Sequence, residues 1–196
     1  MRTLLCLITL TLLTTVPAQA QDSYKLPDLH TVKTATLSPS YSCRSAEEFR
    51  RGYEGTALFL SAYAKQRNSP DLLFNGACRS EDSFEAATAG DDMALLADLG
   101  TGLTLENISA QDVYSTFGPN KPPFVQETRY VSLVPVKLNH TYVVVLNKSE
   151  IRGLFIFTVV GYEPNQRVEL RYIVKNYQVQ QTRAQSPGFD WGKTNH

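Results

Sequence analysis

Residues 141–175 read TYVVVLNKSEIRGLFIFTVVGYEPNQRVELRYIVK, and this stretch decides the fold. Thr141 to Leu146 is an apolar run of strand length, and Asn147 to Arg152 is a polar turn. Gly153 to Tyr162 places Leu154, Ile156, Thr158 and Val160 on one face and Phe155, Phe157 and Val159 on the other, because successive strand side chains alternate. A strand that is apolar on both faces belongs in the middle of a sheet. Glu163-Pro164-Asn165-Gln166 has the composition of a turn with Pro at its second position. Val168, Leu170, Tyr172 and Val174 then alternate with Glu169, Arg171, Ile173 and Lys175, which predicts a strand with a wet outer face. Strand spacings near ten residues with short polar turns predict an antiparallel meander.

Upstream of the meander the same signals continue more weakly. Thr128 to Val136 alternates and is cut by Pro135. Asp71 to Phe74 is a short strand ended by the Asn75-Gly76 turn signal. Phe84–Thr88 and Met93–Leu99 are two further strands about an Ala89-Gly90-Asp91-Asp92 turn. Gly100 and Gly102 break the chain, Val113 to Phe117 reads as another strand, and Gly118 to Pro123 is a stiff connector. Gln21 to Tyr41 is polar, with Pro27 and Pro39, and reads as an extended arm or a loosely packed strand.

One helix is expected, over about residues 45–67. Ser45-Ala46-Glu47-Glu48 has the spacing of a capping box, and Phe49, Tyr53, Ala57, Leu60 and Ala64 follow at steps of three and four. Asn68, Ser69 and Pro70 stop it. The expected fold is therefore mainly β, an antiparallel sandwich or partly open barrel with one N-terminal amphipathic helix packed on it. An α+β layer is the alternative.

The first twenty residues have the pattern of a secretory signal peptide: Arg2, an apolar run from Leu4 to Val16, and Ala18-Gln19-Ala20 at the cleavage position. The expected organisation is a signal over 1–20, a single β-rich domain over 21–179 and a flexible tail over 180–196, in which Phe189 and Trp191 stand out. The expected location is secreted or periplasmic. The whole chain carries 19 basic and 19 acidic side chains, so losing Arg2 leaves a balance of −1. Such a balance lacks the basic field that nucleic-acid binding needs. No run in the expected mature chain is long enough for a transmembrane helix. Of three cysteines Cys6 leaves with the signal, and Cys43 and Cys78 are expected to pair in an oxidising compartment.

No catalytic signature emerges. The mature histidines are His30, His140 and His196, without metal-binding spacing, and no cofactor pattern is present. Asp91 and Asp92 with Glu81, Asp82 and Glu85 form the densest acidic cluster, read as a solvated hairpin tip with a divalent cation as the rival. Asp98, Glu127 and Glu163 fall near strand ends, where paired carboxylates of a hydrolase would sit. Tyr130, Tyr142, Tyr162, Tyr172 and Tyr177 all fall in the meander; the first four are candidates for a binding surface. Lys137, Lys148, Arg152, Arg167 and Arg171 read as ordinary surface charge around the turns. Asn107, Asn139 and Asn147 lie in glycosylation sequons. These features point to an exported, non-enzymatic binding or interaction module of the periplasm or extracellular space, whose partner is a protein, glycan or small apolar ligand. A secreted hydrolase and a structural subunit of an envelope assembly are the alternatives.

Overall fold

The computed structural model describes residues 25–40, 53–76, 81–86, 93–115 and 130–180. The expected signal peptide, Cys43 and Cys78, the start of the expected helix (45–52), Asp91 and Asp92, Glu127, the 118–123 connector and the tail beyond Gln180 lie outside those residues.

Among the described residues nine strands form two antiparallel sheets. In the larger, β1 (Val32–Leu37), β9 (Arg167–Val179), β8 (Ile151–Glu163), β7 (Thr141–Asn147) and β5 (Met93–Gly100) lie side by side in that order. In the smaller the order is β2 (Ala57–Leu58), β3 (Leu72–Asn75), β4 (Ser83–Glu85), β6 (Leu133–Pro135). The meander read from residues 141–175 is β7-β8-β9, with Thr141 opposite Thr158 and Phe157 opposite Tyr172. β8, apolar on both faces, lies in the middle of its sheet. The β8–β9 turn closes through Gln166 N–H to Glu163 C=O at 3.0 Å, and Asn165 takes the positive φ of 58° that a type II turn needs after Pro164. The arm before residue 41 supplies β1, which pairs along β9 from Val32 opposite Ile173 to Leu37 opposite Val168.

The sheets pack face to face. Phe84 of β4 reaches across to Tyr142 of β7 and Phe157 of β8, with ring centroids 5.4 and 4.9 Å away, and Phe74 of β3 lies 6.2 Å from it on its own side. Leu96, Val144, Leu146, Phe155, Leu170 and Val174 complete this core from the larger sheet. Both flanks are stitched. Leu96 of β5 exchanges two backbone hydrogen bonds with Val131 just before β6, and Ser38 N–H after β1 donates to Gly55 C=O just before β2.

Two expectations are corrected here. Over the described part of the expected 45–67 helix, only Ala62–Gln66 (α1) is helical. Thr56, Leu58 and Leu60 are buried while Ala57 and Phe59 are half-buried, a strand alternation, and Ala57 and Leu58 pair with Leu73 and Leu72. Gly55, at φ +73°, turns the chain into this strand. α1 starts instead at Ser61, whose Oγ accepts from Ala64 N–H at 3.0 Å. The second correction concerns Val113–Phe117. Its described part belongs to a helix, α2 (Ala110–Ser115). Ser109 and Asp112 cap it reciprocally: Ser109 N–H donates to Asp112 Oδ2, and Asp112 N–H donates to Ser109 Oγ, both at 3.0 Å. Such a cap contributes about 1 kcal/mol, enough to favour helix over a short β-prone sequence.

The excursion between β5 and α2, including a 3-10 turn at Leu105–Asn107, lies on the outer face of the larger sheet. Leu105, Ile108 and Val113 press on Ala97, Val143, Leu154, Ile156 and Ile173. Each such aliphatic side chain is worth about 1.5–3 kcal/mol when fully buried. The outer face of β9 is therefore exposed at Arg167 and Arg171, covered at Ile173 and exposed again at Gln178, and Lys175 is buried beneath the turn, donating to Glu106 C=O at 3.2 Å. Lys175 is also the extra residue of a bulge between Val174 and Asn176, and burial pulls its amine below the ordinary lysine range, partly opposed by Glu106.

Candidate functional site

The covering excursion stops short of one end of the outer face. There a cavity of about 300 Å³ opens, lined by Leu95, Tyr114, Val145, Leu146, Asn147, Arg152 and Gly153. The register explains the grouping. Leu95 of β5 lies opposite Val145 of β7, and Asn147 of β7 lies opposite Arg152 of β8. The period of two turns these four side chains to the same face. Tyr114, on the last turn of α2, forms the wall, and its hydroxyl accepts from Asn176 Nδ2 at 3.3 Å. Gly153 contributes only backbone to the cavity, because its side-chain position faces the core between the sheets beside its register partners Leu146 and Tyr177. A Cβ there would come within 3.1 Å of both Asn176 C=O and the Tyr177 ring.

The floor, Leu95 and Val145, is half-buried and apolar. Two polar groups, the Asn147 amide and the Arg152 guanidinium, stand together at one end, while the Tyr114 hydroxyl is held at Asn176, in the same cross-strand row as Val145. Arg152 Nη1 donates to the Lys148 carbonyl across the β7–β8 turn. Among the described residues no carboxylate pairs with Arg152. The volume falls at the lower end of the range for small-molecule sites.

A second polar cluster sits at the opposite end of β5, where Leu99 bulges out between Asp98 and Gly100. His140 Nδ1 lies 2.9 Å from Asp98 Oδ1, Lys137 Nζ lies 3.2 Å from Asp98 Oδ2, and Gly100 N–H donates to Asp98 Oδ1 at 2.9 Å. Burial alone would raise the Asp98 carboxyl, but these three partners together hold it below its ordinary value of 3.8. A carboxylate can orient an imidazole as a base this way. Among the described residues, however, no hydroxyl or thiol is hydrogen-bonded to the other nitrogen of His140. The pair fastens the bulge. Asp98, with a depressed folded-state value, adds stability that is present above pH 3.8 and lost as pH falls through its lower folded value. Asp98→Asn should thus lower the melting temperature at pH 7 and converge on wild type as pH falls below the depressed folded-state value of Asp98. A deficit unchanged across that range in a thermal-melt series would contradict this role.

The tyrosines singled out in the sequence do not share a surface. Tyr142 is fully buried between the sheets, its hydroxyl donating to Pro135 C=O and accepting from Lys137 N–H, both at 2.9 Å. Tyr162 donates to Asp82 at 3.0 Å, and burial together with that carboxylate pushes its phenol up to about 12. Tyr172 is half-buried against the main core, while Tyr130 packs on the outer-face cluster. Tyr177 is buried, bonded to Ser61 at 2.7 Å. Asn107, Asn139 and Asn147 are all exposed, and Asn147 alone of them lines the cavity. Asp82, from the acidic cluster, is buried and accepts from Asn165 N–H at 2.6 Å as well as from Tyr162, while Glu85 accepts from Asn75 at 2.7 Å. Among the described residues no three metal-ligating side chains come together. Of the strand-end carboxylates, Asp98 is spent on His140, Lys137 and Gly100, and Glu163 pairs with Arg167 at 2.5 Å near the β8–β9 turn. Among the described residues no helix is long and apolar enough to cross a membrane.

Sequence reasoning passed over the cavity because its wall and floor come from segments far apart in the chain. Compared with protein-family models, with curated proteins and with solved structures, the chain finds no match in any of the three.

Proposed function

We propose that this chain is an exported, non-enzymatic binding module that holds a small, largely apolar ligand on the outer face of its five-stranded sheet. The observation that carries this reading is the cavity of about 300 Å³ with an apolar floor at Leu95 and Val145 and the polar groups of Asn147 and Arg152 together at one end. Burial of the neighbouring part of that face beneath the 3-10 turn and α2 supports it, because an uncovered apolar depression beside it is where a ligand gains from leaving water. The N-terminal signal pattern supports export. A hydrolase built from strand-end carboxylates finds less support, since Asp98 and Glu163 are each committed to cationic neighbours.

The test is a titration with a neutral apolar dye, N-phenyl-1-naphthylamine, read by fluorescence. Wild type should bind one equivalent saturably. Val145→Trp, which fills the floor, should abolish that binding while keeping the melting temperature within a few degrees. A wild-type protein that does not enhance the dye, or a variant that binds it equally well, would overturn the reading.

A further inference from the structure

We infer that the ligand of this cavity is a single-chain amphiphile with a carboxylate head, its chain on Leu95 and Val145 and its head on Arg152. The inference rests on the binding reading above and goes on to name the ligand's chemistry.

The argument starts from charge. Arg67 pairs with Glu150, Arg167 with Glu163 and Glu169, Arg171 with Glu106, and Lys33, Lys137 and Lys148 each with an aspartate. Arg152 is half-buried at the rim of an apolar cavity, and among the described residues it has no such partner. A guanidinium offers five N–H donors, of which one is committed among the described residues, to the Lys148 carbonyl. Among the described residues nothing else accepts from its fork, whose planar geometry suits a two-oxygen acceptor such as a carboxylate taking two parallel hydrogen bonds.

The neighbours agree in sign. Asn147 is directly opposite Arg152 in the β7–β8 ladder and offers amide donors. Tyr114 accepts from Asn176, which leaves its own proton to give. Among the described residues no acidic side chain lines the cavity. The end formed by Asn147 and Arg152 is thus donor-rich and cationic, whereas Leu95 and Val145 are aliphatic, with the Tyr114 hydroxyl as a further donor beside them. At about 300 Å³ the cavity suits a medium chain of eight to ten carbons, each methylene strengthening binding about fourfold until the floor is filled.

The experiment is a calorimetric titration of the full chain with decanoate and with decanol, which share the apolar chain and differ in the head. Decanoate should bind wild type at least about tenfold more tightly than decanol. Arg152→Gln should erase that preference by weakening decanoate much more than decanol, while Arg152→Lys should keep part of it. Should Arg152→Gln melt well below wild type, salt dependence replaces it: added sodium chloride should weaken decanoate and leave decanol unaffected, and salt-independent decanoate binding would overturn the inference. Equal binding of the two ligands, both blocked by Val145→Trp, would overturn the carboxylate head and leave the apolar site standing. Binding of neither would bring down the site itself. Binding to phosphatidylglycerol vesicles without binding to free decanoate would assign Arg152 to a phosphate head and overturn the inference.

Discussion

Lys148→Met should cost the fold about 3–5 kcal/mol, the expected loss when one partner of a buried ion pair is removed. Lys148 is only 1 % exposed and its partner Asp71 is 0 % exposed. Its ammonium spends all three protons inside the protein: on Asp71 Oδ1 at 2.9 Å, Pro70 C=O at 2.7 Å and Ser69 C=O at 3.1 Å. Asp71 in turn accepts from Leu60 N–H at 2.8 Å and is hydrogen-bonded to Tyr177, which also bonds Ser61, the cap of α1. One network therefore ties the β7–β8 turn, the start of β3, the start of α1 and β9. Burial pushes the Asp71 carboxyl up, while Lys148, the Leu60 N–H and Tyr177 pull it back.

With Met at 148 two carbonyls lose their donor and the carboxylate loses its counter-charge. The melting temperature should fall by roughly 10 °C or more. The deficit should narrow as pH falls toward 3.8, because a protonated Asp71 is no longer an unpaired charge. Combining Lys148→Met with Asp71→Leu should recover much of the loss, since the burial penalty disappears with both charges. A single-variant loss below about 1 kcal/mol in a denaturant melt would show that the pair is not holding these segments together.

Phe84→Ala should be as damaging, at about 3–5 kcal/mol, through a different mechanism. Phe84 is fully buried and is the ring through which the smaller sheet meets the larger one. Its edge-on contacts with Tyr142 and Phe157 each add about 0.5–1.5 kcal/mol beyond area alone, and Tyr142 and Phe157 are themselves stacked at 5.0 Å. Removing the ring leaves a cavity that β4, held between β3 and β6, cannot collapse to fill. Phe84→Leu keeps most of the volume and should cost less than about 1.5 kcal/mol. Equal losses for the Ala and Leu variants in urea melts would argue against a packing role for the ring.

The meander was the most legible part of the chain, for a physical reason. β8 carries Leu154 to Val159 with apolar groups on both faces, and only a central strand buries both. Elsewhere local signals competed. The segment around Leu58 and Leu60 satisfies both a helical and an alternating pattern, and pairing with β3 decided between them. At Ser109–Asp112 the capping spacing was present in the sequence, but the β-branched and aromatic residues after it drew the reading toward a strand. Lys148 looked like turn charge because nothing local tells a turn lysine that it will lie over the Ser69 and Pro70 carbonyls. The cavity was illegible for a related reason. Leu95, Tyr114, Val145 and Arg152 come together only through strand register and the return of α2, which composition does not encode.

Whether the open end of the outer face is a ligand site is tested most directly by methyl-resolved NMR during a decanoate titration. The account predicts saturable shifts confined to Leu95, Val145 and their neighbours, with the methyls packed around Phe84 unmoved. Shifts centred between the sheets, or none at any concentration below micelle formation, would contradict it.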